Sequence, residues 1–249
     1  MAAEGPSQGG RQVSPAPDAS SPDTPNSLRD RIGALLRGRV VAALELLVVP
    51  LLLGLHASGM FPKPKLPLLL FGWLSMRLRR VGWRQVGLGR PAKWGSTVLA
   101  AIVIALAYNA LDIGVVLPLL RRLTGEPLDL AAFAGLRGDA GTLMLLLTVA
   151  WISAAFPEEL LYRGYMLNRL GDVFGRRIAG WAAAAALVCL TFGLAHHAQG
   201  ITGVLDNILA GGLFATLYFV SGRNLWLPIL VHGIIDTSSV VLLYFGFQP

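Results

Sequence analysis

GTLMLLLTVAWISAAFPEELLYRGYMLNRL, running from Gly141 to Leu170, is the stretch on which the fold of this chain turns. The residues from Gly141 to Phe156 carry no charge and lead straight into Pro157-Glu158-Glu159-Leu160-Leu161-Tyr162-Arg163. A run of roughly 20 mostly apolar residues is long enough to cross a bilayer as a helix. An ionisable side chain on such a helix costs roughly 2.5–3.5 kcal/mol even on lenient scales. Adjacent helical residues diverge by about 100°, so the two carboxylates cannot both face one cavity. Glu159 and Arg163 stand four apart in the favourable order, which predicts a structural pair. That leaves Glu158, on the face of Tyr162, free for chemistry. Pro157 removes a helix hydrogen bond, and the kink it favours would expose Glu158 to water. An acidic start to a surface helix is the plainer reading, but the apolar run ahead of it argues against that.

Working outward, the whole chain looks like its decisive segment. Its 249 residues are 54% hydrophobic and 14% charged, with a mean hydropathy of +0.61. Soluble domains carry about 25% charged residues. The sequence therefore predicts an all-α, polytopic transmembrane helix bundle of about seven membrane segments. These are Val40–Ser58, Leu66–Met76, Gly95–Leu120, Gly141–Leu170, Ile178–His197, Ile201–Val220 and Leu225–Phe247, with Leu66–Met76 the weakest as a span. Residues 1–28, rich in Pro, Ser and Gly, are expected to form a disordered cytoplasmic tail. Residues 29–249 are expected to form the membrane domain. The net charge of +7 does not make a nucleic-acid stripe, because the basic residues gather at the ends of apolar segments. Counting Lys and Arg on alternate sides puts most of them inside with a cytoplasmic N-terminus. The arginine bias and short loops point to a bacterial inner (plasma) membrane. No oligomeric state is legible.

Two further polar clusters interrupt later apolar segments. Phe192-Gly193-Leu194-Ala195-His196-His197 ends one, and His232-Gly233-Ile234-Ile235-Asp236 lies in the last. Imidazoles on separate segments that also carry Glu158 are expected to converge with it. His197, about 100° round the helix from His196, is expected at the interface. Asp236, four residues after His232, could orient that imidazole or form an ion pair with it. With His232 only about 10 Å along its segment, the site is expected in the cytoplasmic half. Cys189 is the single cysteine, which excludes an internal disulfide and a cysteine zinc cluster; it reads as packing. Gly203, Asn207, Gly211 and Ala215 form a small-residue face suited to close helix approach. Asp112 and Asp206 receive no role. No Gly-x-Ser-x-Gly, His-Glu-x-x-His or glycine-rich phosphate loop occurs.

The ordered set Glu158-Glu159…Arg163, Phe192…His196 and His232…Asp236 resembles the CPBP family of intramembrane proteases. That family holds CAAX prenyl endopeptidases and bacteriocin-processing, Abi-like glutamate proteases. The likeness covers about residues 141–240 and extends to Gly164 and to Asn224-Leu225-Trp226-Leu227-Pro228. It implies an intramembrane endopeptidase in which Glu158 and His196 activate a water molecule. His232, with Asp236, would stabilise the oxyanion, while Glu159 and Arg163 give structural support. It implies no cofactor, a membrane-associated protein or peptide as substrate, and the lipid bilayer as surroundings. The family often has Asn where Asp236 stands, and an ionised Asp cannot donate a hydrogen bond. Two other readings compete. One is a zinc-dependent membrane metalloprotease with Glu158, His196 and His232 as ligands and Glu159 as base. The other is a non-enzymatic membrane scaffold or transporter built round a polar cavity.

Overall fold

The computed structural model describes Met1, residues 28–61 and residues 64–247. The tail expected over residues 1–28 falls almost entirely outside them. The described residues are helical and hold no strand. The helices are α1 (Leu28–Leu36), α2 (Arg39–Ala57), α3 (Lys65–Leu78), α4 (Trp94–Thr124), α5 (Ala140–Phe174), α6 (Ile178–Leu194), α7 (Gly200–Val220) and α8 (Trp226–Tyr244). By length and composition α2, α4, α5, α8, and α7 with its preceding turn, can each cross a membrane; α6 is a shorter apolar helix of 17 residues. Each expected segment is thus a helix. The boundaries shift most at the C-terminal ends: α4 and α5 continue past Leu120 and Leu170 to Thr124 and Phe174, while α6 and α8 stop short of His197 and Phe247 at Leu194 and Tyr244.

Leu99, Leu106, Leu145, Ile152 and Leu190 are exposed on the outer faces of their helices. A soluble protein would hide so many large apolar side chains, whereas a lipid-facing surface requires them. Inside, α6 packs along α7 through small residues. A Cβ on Gly211 would come within 3.3 Å of the Cys189 Cα, which is where the small-residue face meets its neighbour. Cys189 is buried at that contact.

Hydrogen bonds and ion pairs sort the connections into two ends. At the first, Arg169 donates to Glu45 at 2.7 Å and to the Leu36 carbonyl at 2.6 Å. Arg79, just after α3, lies 3.7 Å from Asp172 near the end of α5. The α3–α4 connection packs there against the α7–α8 turn. Asn224 Nδ2 donates to the Gly89 carbonyl at 2.8 Å, and Tyr218 Oη to that of Val86 at 2.9 Å. Gly87 makes this fit possible. Its φ of +116° disfavours a side chain, and a Cβ there would lie 2.9 Å from the Tyr218 ring. At the opposite end, the Asp129 amide donates to the Gln199 carbonyl at 3.1 Å and that of Gly138 to Tyr244 at 3.2 Å. Thr124 meets Thr202 at 2.7 Å, and the rings of His56 and His197 stand 5.8 Å apart.

The second end also holds the start of α5, capped by Asp139. Its carboxylate accepts from the Thr142 amide at 3.0 Å. That bond holds the Asp139 carboxyl below its ordinary range, as expected when backbone donors stabilise the charged form.

Candidate active site

Glu158 reaches the interior because α5 is not a regular α-helix on either side of it. Residues Ala150–Ala155 and Leu160–Leu167 are π-helical, with Pro157 between them. Such widened turns occur mostly at functional sites. Between them the helix buries Glu158, Glu159 and Arg163, at 4%, 0% and 0% exposure. Arg163 Nη1 donates to Glu159 Oε1 at 2.9 Å, the pair that their spacing predicts. Its Nη2 donates to the Gly211 carbonyl at 2.8 Å. The guanidinium stacks over the rings of Phe192 and Phe214, 4.8 and 5.2 Å from their centroids. A buried cation held this way is compensated by charge, hydrogen bonds and aromatic faces together.

Glu159 has a second partner that the sequence reading did not assign to it. Its Oε1 lies 3.0 Å from His232 Nδ1. This bond orients the imidazole, and Phe214 stacks on the ring at 4.6 Å and 14°. Nε2 of His232 is thereby aimed at the other two carboxylates, 3.6 Å from Asp236 Oδ2 and 4.0 Å from Glu158 Oε2. The residue that holds the ring at Nδ1 is therefore Glu159, whereas Asp236 stands on the Nε2 side with Glu158. His196 sits in the turn after α6, where its Nδ1 meets the Phe192 carbonyl at 2.8 Å. Its ring lies 4.9 Å from that of Phe192, which in turn is 6.0 Å from His232. Phe192 is thus wedged between the two imidazoles. His197 is exposed.

Glu158, His196, His232 and Asp236 line one cavity of about 490 Å³. Glu159 does not line it, in keeping with the angular divergence of neighbouring helical residues. One oxygen of Glu158, Oε2, is buried without a hydrogen-bond partner. The other pairs with the Lys65 ammonium from the start of α3, and Lys65 also donates to the Ser153 carbonyl at 2.8 Å. Sequence reasoning missed Lys65. A lysine opening a short apolar helix reads as an interface anchor, and nothing local says that it faces a glutamate. Asp112 and Asp206, left without a role, line the same cavity, and one oxygen of each is buried without a hydrogen-bond partner.

The site does not lie nearest the arginine-rich turns, as expected from the position of His232 along α8. That helix follows Leu225, which is already wholly buried, and opens on the half-buried Trp226. Its first residue, Trp226, packs its ring 5.1 Å from Trp94 and 6.1 Å from Phe156, close to Glu158. His196 and Lys65 mark the ends of α6 and α3 remote from those turns. Glu158 is about 24 Å along α5 from Phe174, and His196 about 27 Å along from Ile178. Their levels match because α5 is longer than the sequence suggested.

As a zinc site the arrangement fits poorly. Glu158 is paired with an ammonium, and among the described residues no group of three or more His, Cys, Asp or Glu side chains is placed to hold a metal ion.

A carboxylate, two imidazoles and a buried arginine are thus brought together in the interior of an all-helical protein whose helices can cross a membrane. Residues 140–238 match the family model described as type II CAAX prenyl endopeptidase Rce1-like. This stretch holds all three polar clusters, and the match supports the likeness of that part of the chain to CAAX proteases. No curated protein and no solved structure matches the chain.

Proposed function

We propose that the protein is an intramembrane endopeptidase that hydrolyses a peptide bond with water activated by Glu158 and His196. The observation that carries this reading is the buried, unpartnered oxygen of Glu158 facing a cavity also lined by His196 and His232. In this reading Glu158 takes a proton from water while His196 orients it, and the oxygen bonds to the peptide carbonyl carbon. The carbonyl electrons move onto oxygen, where Nε2 of protonated His232 donates a hydrogen bond. A donor so placed is worth about 10²-fold or more in rate. As the C–N bond breaks, the proton held by Glu158 passes to the leaving amine. Asp236 lies beside Nε2, at 3.6 Å. Lys65 balances Glu158 until substrate and water occupy the cavity. No metal is needed for these steps.

The test works without a defined substrate. Cells producing the wild-type chain should gain new protein N-termini that cells producing E158Q or H196A lack, at equal levels of inserted protein. Identical N-terminal profiles for the three would sink the reading.

A further inference from the structure

A second cavity, of about 300 Å³, lies at the arginine-rich end and shares no lining residue with the first. It is lined by Arg37 from the α1–α2 turn, Arg79 just after α3, Gln85 from the α3–α4 connection, Arg169 and Asp172 near the end of α5, and Arg176 beyond it. Its floor and its rim differ. Arg79 and Arg169 are buried, at 6% and 1% exposure, whereas Arg37, Gln85 and Arg176 are exposed. The cavity thus has a cationic floor and a rim at the protein surface.

The carboxylates of this region are already occupied. Asp172 accepts from Arg176 through Oδ1 at 2.8 Å and from Arg169 through Oδ2 at 3.3 Å. Glu45, behind Arg169, accepts through Oε2 from Arg169 at 2.7 Å and from Ser75 at 2.9 Å. Among the described residues, Arg79 has one hydrogen bond, from Nε to the Ser75 hydroxyl at 3.3 Å. Its Nη1 stands 3.7 Å from Asp172, beyond hydrogen-bond reach. Arg37 donates through Nε to the Gly33 carbonyl at 3.0 Å and meets no carboxylate among the described residues. Gln85 accepts at Oε1 from the Gly82 amide at 2.7 Å, which leaves its Nε2 hydrogens to donate.

Each carboxylate is therefore matched to a guanidinium, and the guanidiniums outnumber them. Pairing with Asp172 and Glu45 explains Arg169 and Arg176. It leaves Arg79 and Arg37 without an anion of their own, and a buried guanidinium in that position bears an uncompensated desolvation cost. The planar fork of arginine matches the oxygens of a phosphate. α2 begins at Arg39 and α5 ends at Phe174, and both are long and apolar enough to cross a membrane. The rim accordingly lies at the depth where lipids carry phosphate, and basic pockets between membrane helices hold such headgroups.

We propose that this cavity binds a phosphate group, with Arg79 and Arg37 as its principal donors, and that the phosphate completes the network tying α2, α3 and α5 together. An anionic lipid headgroup and a free phosphate ion both offer that chemistry, and the position of the rim favours the lipid. The site is independent of Glu158 and of any reaction there.

The test is the melting temperature of the full chain, purified and delipidated in a neutral detergent. Phosphatidylglycerol, compared with the same amount of phosphatidylcholine, should raise it by about 3–6 °C at ten times the dissociation constant. Inorganic phosphate, compared with chloride at equal ionic strength, is the second arm. A rise in both arms upholds a site for phosphate from either source, and a rise with phosphatidylglycerol alone upholds a headgroup site. R37Q, at an exposed position, should need about ten-fold more of the active probe for the same rise, and R79Q should show no rise. R122Q removes an equal charge from an exposed position at the opposite end of the bundle, and should respond as the wild type does. Absence of a rise with either probe, or equal responses from R37Q and R122Q, overturns the proposal. Should R79Q fail to fold, the comparison of R37Q with R122Q decides it.

Discussion

The two ends of this bundle treat charge in opposite ways. At the arginine-rich end, Asp172 faces Arg79, Arg169 and Arg176. Glu45 there accepts from Arg169, Ser75 and Tyr165. Carboxylates and guanidiniums are matched, and the network ties α2, α3 and α5 together. Around the cavity, oxygens of Glu158, Asp112 and Asp206 and the hydroxyl of Tyr108 are buried with no partner. An unsatisfied buried polar group costs about 1–3 kcal/mol, more when charged. A stable bundle carries such groups at the end where it acts and completes its pairing where it only needs to hold together.

Substitutions can break that contrast, and the largest effect is expected at the cavity. E158Q should reduce turnover by about 10²–10⁴-fold, the usual worth of a general base, with a melting temperature equal to or above wild type. A parallel loss of thermal stability would mean that Glu158 is structural. R169M should do the reverse, costing about 3–5 kcal/mol by stranding the Glu45 carboxylate. It would be read as a lower melting temperature in detergent, with activity per folded molecule retained. G87A should cost about 1–3 kcal/mol from its left-handed backbone and close contacts, and should make the 79–93 connection more open to proteolysis. K65M should slow turnover by about ten-fold, a loss of about 1.4 kcal/mol in the barrier, with K65R recovering most of it. Equal rates for K65M and wild type would remove Lys65 from the site. The smallest effect belongs to Asp139. Its carboxyl is held low in the folded protein, so its stabilising bond is complete above the unfolded carboxylate range and lost as pH falls through the folded value. D139N should therefore flatten the acid side of the stability profile slightly, measured by melting temperature against pH.

Much of this was legible in the residues. The apolar runs marked every helix but α1, because every backbone polar group in lipid must be paired within a helix. The resemblance of the three polar clusters to CAAX proteases agrees with the family match over residues 140–238. That Glu158, His196 and His232 share a cavity could be anticipated, since no bland role explains charges on consecutive apolar segments. Lys65 could not, because its meeting with Glu158 depends on how the α2–α3 turn sets α3 against α5. Nor could the depth of the site. Hydropathy reads Leu225 onward as a span starting at a surface, whereas Trp226 starts α8 against Trp94 and Phe156. The second partner of Glu159 was hidden for a similar reason, since residue spacing reports neighbours on one helix and not the ring arriving from another.

The widened turns on either side of Glu158 have a consequence for how this helix tolerates change in length. A π turn holds one residue more than the α turn it replaces. Deleting a single residue within Ala150–Ala155 would let the segment relax to ordinary α geometry. The helix would survive the loss, and the residues ahead of the deletion would keep their phase relative to Glu158, because either turn closes one full circle. Only side chains within the widened turn would be re-aimed, among them Trp151, whose indole donates to Thr237 on α8 at 3.0 Å. The surplus residue aims the side chains of the turn itself, among them Ala150 and Ala154 in the wall of the chamber.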